Sequence, residues 1–354
     1  MLPPPIGFPP LILGLIGIIL GIIEVSKKHY AMKRRGSSVV RITVGLDSED
    51  GLVGAGGYLP DIQLFNEAGK FLGKHFHPGK VKTGEYVDIV IKHSHYSPQQ
   101  PTYALLGANK NAICIATALI TWPDGSQYAW MGDWGYKCGG TWYYSNIYVQ
   151  PAGIKPRCLW IDENDAKIRT GFQVHWPEFA YSGDKPLPDT VEGKEMKANY
   201  LCTAGPPFTM HEQPNRHPNE IVFWAPGSNE SRSDTGGRAV AYSYGVLREP
   251  TEDDYQANNQ TTTELIMGMS LVVSDTEEHS AEELCDSSTS LGPDFFNART
   301  GSFCRMSDKT VWPSCNGINT TDNCFDIALS QLVLGGITAR SEAYSRVIDW
   351  TSGR

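Results

Sequence analysis

Two His-x-His pairs, His75/His77 and His93/His95, fall within one stretch, "KHFHPGKVKTGEYVDIVIKHSHYSP" (74–98). Imidazole is a common metal ligand, and residues two apart on a strand share a face, so each pair has the geometry of a half-site. If 71–77 and 86–93 form a hairpin around 78–85, His77 faces Tyr86 and His75 faces Asp88. His93 then lies about five residues from His75, roughly 17 Å at 3.4 Å per residue, against zinc–ligand distances near 2 Å. One four-histidine site is excluded on that ribbon, though not if the two strands belong to opposite sheets. The smaller candidate zinc set is His75, His77 and Asp88; otherwise these are partly exposed histidines at strand ends.

Calcium has two candidate loops. "DSEDG" supplies Asp47, Glu49 and Asp50, and "DENDAK" supplies Asp162, Asn164 and Asp165. Neither follows the EF-hand pattern: the first lacks the distal glutamate, and the second has Ala166 at the fifth position and no glycine at the sixth. The sequence requires no cofactor, and calcium and zinc are the two candidate ions.

The densest chemistry is "WPDGSQYAWMGDWGYKCGGTWYY" (122–144), with eight aromatics in 23 residues. Read as a strand, it puts Tyr128, Trp130, Gly132 and Trp134 on one face and Asp133 on the other. Aromatic faces beside a carboxylate suit a saccharide, and the same rings suit a membrane interface. Most of the rings are expected to fill a core. The candidate ligand-binding residues are Trp130, Asp133, Trp134 and Tyr136, with Trp134 and Tyr136 expected at the surface. Hydrolase signals are thin: "AYSYG" (241–245) lacks a strand–turn–helix context, and the prolines of "HEQPNRHP" (211–218) oppose a zinc-binding helix. The 39 acidic residues single out no glycosidase pair.

These residues are carried by a chain of 354, enough for two domains. Charged residues make up 19%, below the roughly 25% of an average soluble domain. Glycine (36) and proline (23) are frequent, which favours short strands joined by turns. A net charge of −9 argues against nucleic acid as a partner. Ile6–Ile23 is an uncharged run of eighteen residues, a membrane segment or signal-anchor by length. A cleaved signal peptide is the rival reading, although no basic residue precedes the run and no clear cleavage site follows. Lys27, Lys28, Lys33, Arg34, Arg35 and Arg41 come after it, which by the positive-inside rule favours a cytosolic C-terminus.

Other features point outward. Eight cysteines occur without a C-x-x-C, which reads as a disulfide framework, with Cys114–Cys138 expected to flank one hairpin. Sequons stand at Asn229, Asn259 and Asn319. The expected location is extracellular or at the cell surface, with the topology left open by the basic cluster.

From Val39 the chain alternates in short runs, and "LITW-PDG-SQYAW" is a strong hairpin signal. The expected fold class is mainly β: an antiparallel β-sandwich, then a second β-rich, disulfide-containing domain with a few short helices. The expected domains are 1–37 (membrane segment with basic flank), 38–150 (sandwich), 151–157 (linker) and 158–354 (cysteine-containing). "SAEELC" reads as a short helix capped by Ser280 with Glu283 three residues on, and "SEAYSRVIDW" as a terminal helix.

The segments "VRITVG", "GAGGYLPDIQLFNEAGK" (54–70), "GEYVDIVI" and "CGGTWYYSNIYV" resemble a PLAT/LH2-type β-sandwich over residues 38–150. The resemblance implies a non-catalytic module that meets membranes, lipids or protein partners. That family follows Gly-Ala-Gly with Thr-Asp where this chain has Gly57 and Tyr58, so no calcium role is carried over. The whole chain also resembles secreted proteins of filamentous fungi, through "GPDFFNARTGSFCRMSDKTVWPSCNG" and "NCFDIALSQL". The resulting expectation is an exported or tethered protein that binds glycan, lipid or a protein surface through its sandwich. The alternatives are an extracellular polysaccharide hydrolase and a cytosolic-facing, membrane-anchored protein.

Overall fold

Burial along Ser37–Val44 alternates residue by residue, with Ser38, Val40, Ile42 and Val44 facing inward. That period of two is what a half-buried strand requires. In the computed structural model this segment is β1, near the middle of a six-stranded antiparallel sheet. The structure describes residues 36–45, 55–82, 85–149, 154–180, 188–224, 239–243, 270–316, 322–338 and 344–351. The apolar run 6–23, the basic residues before Arg41, the loop of Asp47, Glu49 and Asp50, and the sequons at Asn229, Asn259 and Asn319 lie outside the described residues. Among those described, no helix is long and apolar enough to cross a membrane.

The first sheet runs β10 (Trp142–Tyr144), β11 (Arg157–Ile161), β8 (Ile113–Thr121), β1, β6 (Tyr86–Lys92), with β9 (Gln127–Met131) also on β8. The second runs β13 (Phe208–His211), β12 (Gly171–His175), β7 (Tyr103–Gly107), β3 (Asp61–Phe65), β4 (Phe71–His75). Every pairing in both is antiparallel. Their inner faces share one core, in which Val40, Ile89 and Trp130 of the first sheet meet Leu64, Leu106 and Phe172 of the second. The expected sandwich is therefore present. It draws strands from both sides of residue 150, and β11 starts inside the stretch read as a linker. β10 and β11 pair antiparallel on either side of it, and Val149 bridges Ile154.

The PDG hairpin forms as expected, with Thr121 opposite Gln127 and Gly125 at φ 91° in the turn. Its second strand is shorter than expected. At Gly132 the chain leaves the sheet for a helix, Gly132–Lys137. A Cβ at Gly132 would lie 2.3 Å from Arg157 O and 2.7 Å from Ile115 O, so only glycine lets the chain turn so close to two strands.

The second unit is built on β16 (Ser270–Ser274), fully buried and parallel to both β17 (Asp294–Asn297) and β23 (Arg346–Asp349). A strand covered on both faces is apolar throughout, as "SLVVS" nearly is. β18 (Ser302–Arg305) and β19 (Thr310–Pro313) complete the sheet. The expected terminal helix over 341–350 is corrected here: Arg346–Asp349 is β23, because parallel pairing to β16 supplies its backbone partners. Small sheets flank the two units: β2 (Gly57–Tyr58) with β5 (Lys80–Val81), β14 (Glu220–Trp224) with β15 (Ala239–Ser243), and β20 (Cys324–Asp326), β21 (Gln331–Leu334), β22 (Ile337–Thr338).

All eight cysteines are paired, as Cys114–Cys158, Cys138–Cys202, Cys285–Cys304 and Cys315–Cys324. The expected Cys114–Cys138 bridge is not formed. β11 lies beside β8 and brings Cys158 to Cys114, while the helix at 132–137 carries Cys138 toward a second helix, Val191–Thr203.

Candidate functional site

The aromatic hairpin is core. Trp130 is fully buried, stacked on Phe172 at 4.6 Å and on Phe208 at 5.7 Å. Trp134 is also buried, edge-on to Phe179, and Asp133 is 4% exposed. The expectation that Trp130, Asp133 and Trp134 meet a ligand is therefore corrected. Trp134 was expected at the surface in a glycine-containing turn; that segment is the helix at 132–137, which holds Trp134 in the sandwich core. Tyr136 is half-buried, with the Arg157 guanidinium 4.5 Å from its ring centroid. Burial and the hydrogen-bonded Glu283 push its hydroxyl up to about 12.

Arg157, on β11, organises this region. It donates to Asp133 at 3.1 Å and to both oxygens of Glu283 at 2.6 Å, and Trp142 and Tyr144 also face it. Glu283 comes from the helix Ala281–Asp286 of the second unit, whose first turn Ser280 caps through Glu283 N–H at 3.1 Å. The Tyr144 hydroxyl donates to Glu283 and accepts from Ser280 N–H at 2.8 Å. Burial raises the Asp133 carboxyl and Arg157 opposes that rise. With Asp133 and Glu283 both engaged on its guanidinium, Arg157 joins the two units.

The histidines are dispersed. β4 and β6 lie in opposite sheets and approach along one edge of the sandwich, where His75 Nδ1–H donates to Val90 O at 2.9 Å. The hairpin expected between them is absent: β4 pairs with β3, and β6 with β1. Asp88 accepts two bonds from Arg41, at 2.6 and 2.8 Å, and the His77 N–H donates to Asp61 at 2.7 Å. His93 donates to Ser97 O at 2.7 Å and accepts from the buried Ser38 hydroxyl at 2.9 Å. His75, His77 and Asp88 are thus not brought together. Among the described residues no group of three or more His, Cys, Asp or Glu is placed to hold a metal. In the second candidate calcium loop, Asp162 and Asp165 accept the N–H groups of Asn164 and Lys167, as in ordinary Asx turns.

The same edge carries a feature that histidine spacing does not reveal. Lys74 Nζ sits 4.4 Å from the Phe76 ring centroid, Lys80 Nζ 4.3 Å from Tyr58, and the Arg41 guanidinium 4.1 Å from Tyr86. Lys74, Lys80 and Tyr86 are exposed. β4, the β2–β5 ribbon and β6 thus carry a row of such pairs, called the tip below, with Lys74 beside the end of β6 and Tyr86 at its start, and each cation rests on an aromatic face. Among the described residues its carboxylates include Asp88, paired with Arg41, Glu85, 3.9 Å from Lys82, and the buried Asp61, which accepts from His77 N–H.

A second constellation carries no sequence signal. His175, 2% exposed and stacked on Tyr103 at 4.1 Å, has Nε2 2.9 Å from Glu67 and Nδ1 3.9 Å from Glu178. Glu178 in turn accepts from Tyr200 at 3.2 Å and Lys197 at 3.4 Å. An imidazole held by a carboxylate is a proton-transfer pair in form. Here it ties the turn after β3 to the helix Val191–Thr203.

No family model matches the chain, and no curated protein matches it. Among solved structures, a crystal structure of a lipoxygenase (LOX) variant is similar at a TM-score of 0.21 and 15% identity, over 27% of this chain and 14% of that one. The chain thus spans a small part of that protein, and a likeness of this extent carries no inference about function. Nothing in the comparisons supports the likeness to fungal secreted proteins.

Proposed function

We propose that this is an exported, non-catalytic binding protein that recognises an anionic surface through its first sandwich, at the tip carried by β4, the β2–β5 ribbon and β6. The observation that carries this reading is the set of cation–ring pairs there, Lys74 on Phe76, Lys80 on Tyr58 and Arg41 on Tyr86. Export, by secretion or tethering, is supported by the four disulfides, which persist in oxidising compartments. Glycosylation at the three sequons and anchoring through 6–23 are parts of the same proposal, as is a PLAT-like role for the sandwich.

The test is retention of the full-length protein on a panel of immobilised polyanions and anionic vesicles, in salt of about 0.15 M. Wild-type protein should be retained on at least one surface. Lys74→Glu with Lys80→Glu should weaken that retention at least about tenfold, equivalent to ~1.4 kcal/mol, with Tm unchanged because both side chains are exposed. Equal retention of the double variant would sink the proposal. Release of reducing ends from a polysaccharide, lost in Glu67→Gln, would turn the assignment to a hydrolase.

A further inference from the structure

We infer that the ligand of this tip is an acidic polysaccharide bearing uronate or sulfate groups; the inference rests on the surface-binding reading above. Charge complementarity is its first support. The chain carries a net −9, yet among the described residues the tip sets Arg41, Lys74, Lys80 and Lys82 against Asp61, Glu85 and Asp88. Exposed Lys92 extends the positive row along the edge, since Gly73, next to Lys74, packs on the Lys92 backbone.

The second support is the state of the rings. A protein that docks on lipid inserts free aromatic or aliphatic side chains below the headgroups. At this tip Phe76, Tyr58 and Tyr86 each have a cation over a face. Exposed aliphatics among the described residues lie on other elements, such as Val191 (66%) and Met196 (62%) on the helix Val191–Thr203 and Ile337 (74%) on β22. Among the described residues, β2, β4, β5 and β6 therefore offer charge without an exposed aliphatic side chain.

The third support is order. A lysine resting on a ring has fewer rotamers to lose when it meets an anion, so the cations are partly fixed in spacing. Fixed spacing suits a chain with regularly repeated anions better than a fluid bilayer. Tyr86, 57% exposed, adds a phenol within reach of sugar hydroxyls.

The experiment titrates full-length protein against polygalacturonate, dextran sulfate, neutral dextran, and vesicles of phosphatidylserine in phosphatidylcholine. Expected are binding to at least one acidic polysaccharide but not to neutral dextran, weakening with salt, and at least about tenfold loss in Lys74→Glu with Lys80→Glu. Phe76→Ala and Tyr58→Ala, which change no charge, should each weaken binding about two- to fivefold, from the ~0.5–1 kcal/mol of an exposed cation–π contact. Simple ion exchange would not respond to them. Should the charge reversals lower Tm, Lys74→Ala with Lys80→Ala reads the same loss. Binding to vesicles without either acidic polysaccharide overturns this inference and leaves the proposed function standing. Binding to no probe overturns both, and full binding by the ring variants overturns the ordered-cation site.

Discussion

At the scale of single residues, the most consequential group is one that no ligand touches. Burial brings His279 down to about 3, with the Lys155 and Arg157 cations pushing the same way and Asp275 opposing. Its Nδ1 lies 2.9 Å from the Ser274 hydroxyl, its ring stacks on Tyr144 at 4.4 Å, and Phe295 and Trp350 close the site. A depressed folded pKa means that the unfolded chain takes up the proton first as pH falls. The stability His279 contributes is then full above about pH 6.5 and lost between there and about pH 3. His211, lowered by burial to about 4, acts in the same direction. Asp133, raised by burial, acts in the opposite one. Tm should therefore fall from about pH 7 to about pH 4, and His279→Gln should flatten that slope while costing stability at neutral pH; an unchanged slope in the variant would refute the assignment. Residue type alone did not reveal this layer. A Trp-Asp-Trp segment reads the same whether its rings stack on a ligand or on Phe172. Arg157 left no local trace because its carboxylate partners stand 24 and 126 residues away.

At the scale of elements, local signals were legible and non-local ones were not. The PDG turn and the Ser280 cap are short-range chemistry, and both form. The strand at Arg346–Asp349 depends on a parallel partner some 75 residues earlier, which its own sequence does not announce. The helix Val191–Thr203 is polar on most of its surface and buries only Ala198 and Leu201, so no apolar stripe marks it. Thr190 caps it by accepting from Gly193 N–H at 3.0 Å, and Cys138–Cys202 fixes its end to the helix Gly132–Lys137. With so little packing, the disulfide carries much of the attachment. Cys138→Ser with Cys202→Ser should cost about 2–4 kcal/mol and raise amide exchange first in 191–203. Loss of protection spread evenly through both sheets would show that the helix is held by its packing instead.

For the whole molecule, the question is where one folding unit ends. Composition places a boundary at residues 151–157, because Pro and Gly cluster there, yet the strands on either side, β10 and β11, pair with each other. Beyond it, Leu159, Ile161, Phe172, Val174, Trp176, Phe179 and Phe208 complete the sandwich core. Each is worth about 1.5–3 kcal/mol when fully buried, which together rivals the roughly 5–15 kcal/mol by which a domain is stable. The second unit is attached as closely. Trp142 N–H donates to Thr289 O at 3.1 Å, Leu291 N–H to Trp142 O at 2.8 Å, and the Trp160 indole to Leu291 O at 2.8 Å. Tyr143 donates to Pro293 O at 2.9 Å, and Arg157 holds Glu283. A fragment ending at residue 150 should therefore fail to fold, since it leaves β8 without β11 and β7 without β12. A fragment ending near residue 224 keeps both sheets but exposes Trp142, Tyr143 and Trp160, and should aggregate at concentrations where the whole chain stays monodisperse. Circular dichroism with thermal melts on the three chains decides it. A cooperative transition in the shortest would mean that the strands after residue 150 decorate a complete sandwich, and the tip of Lys74 and Lys80 would then be portable as a binding module of its own.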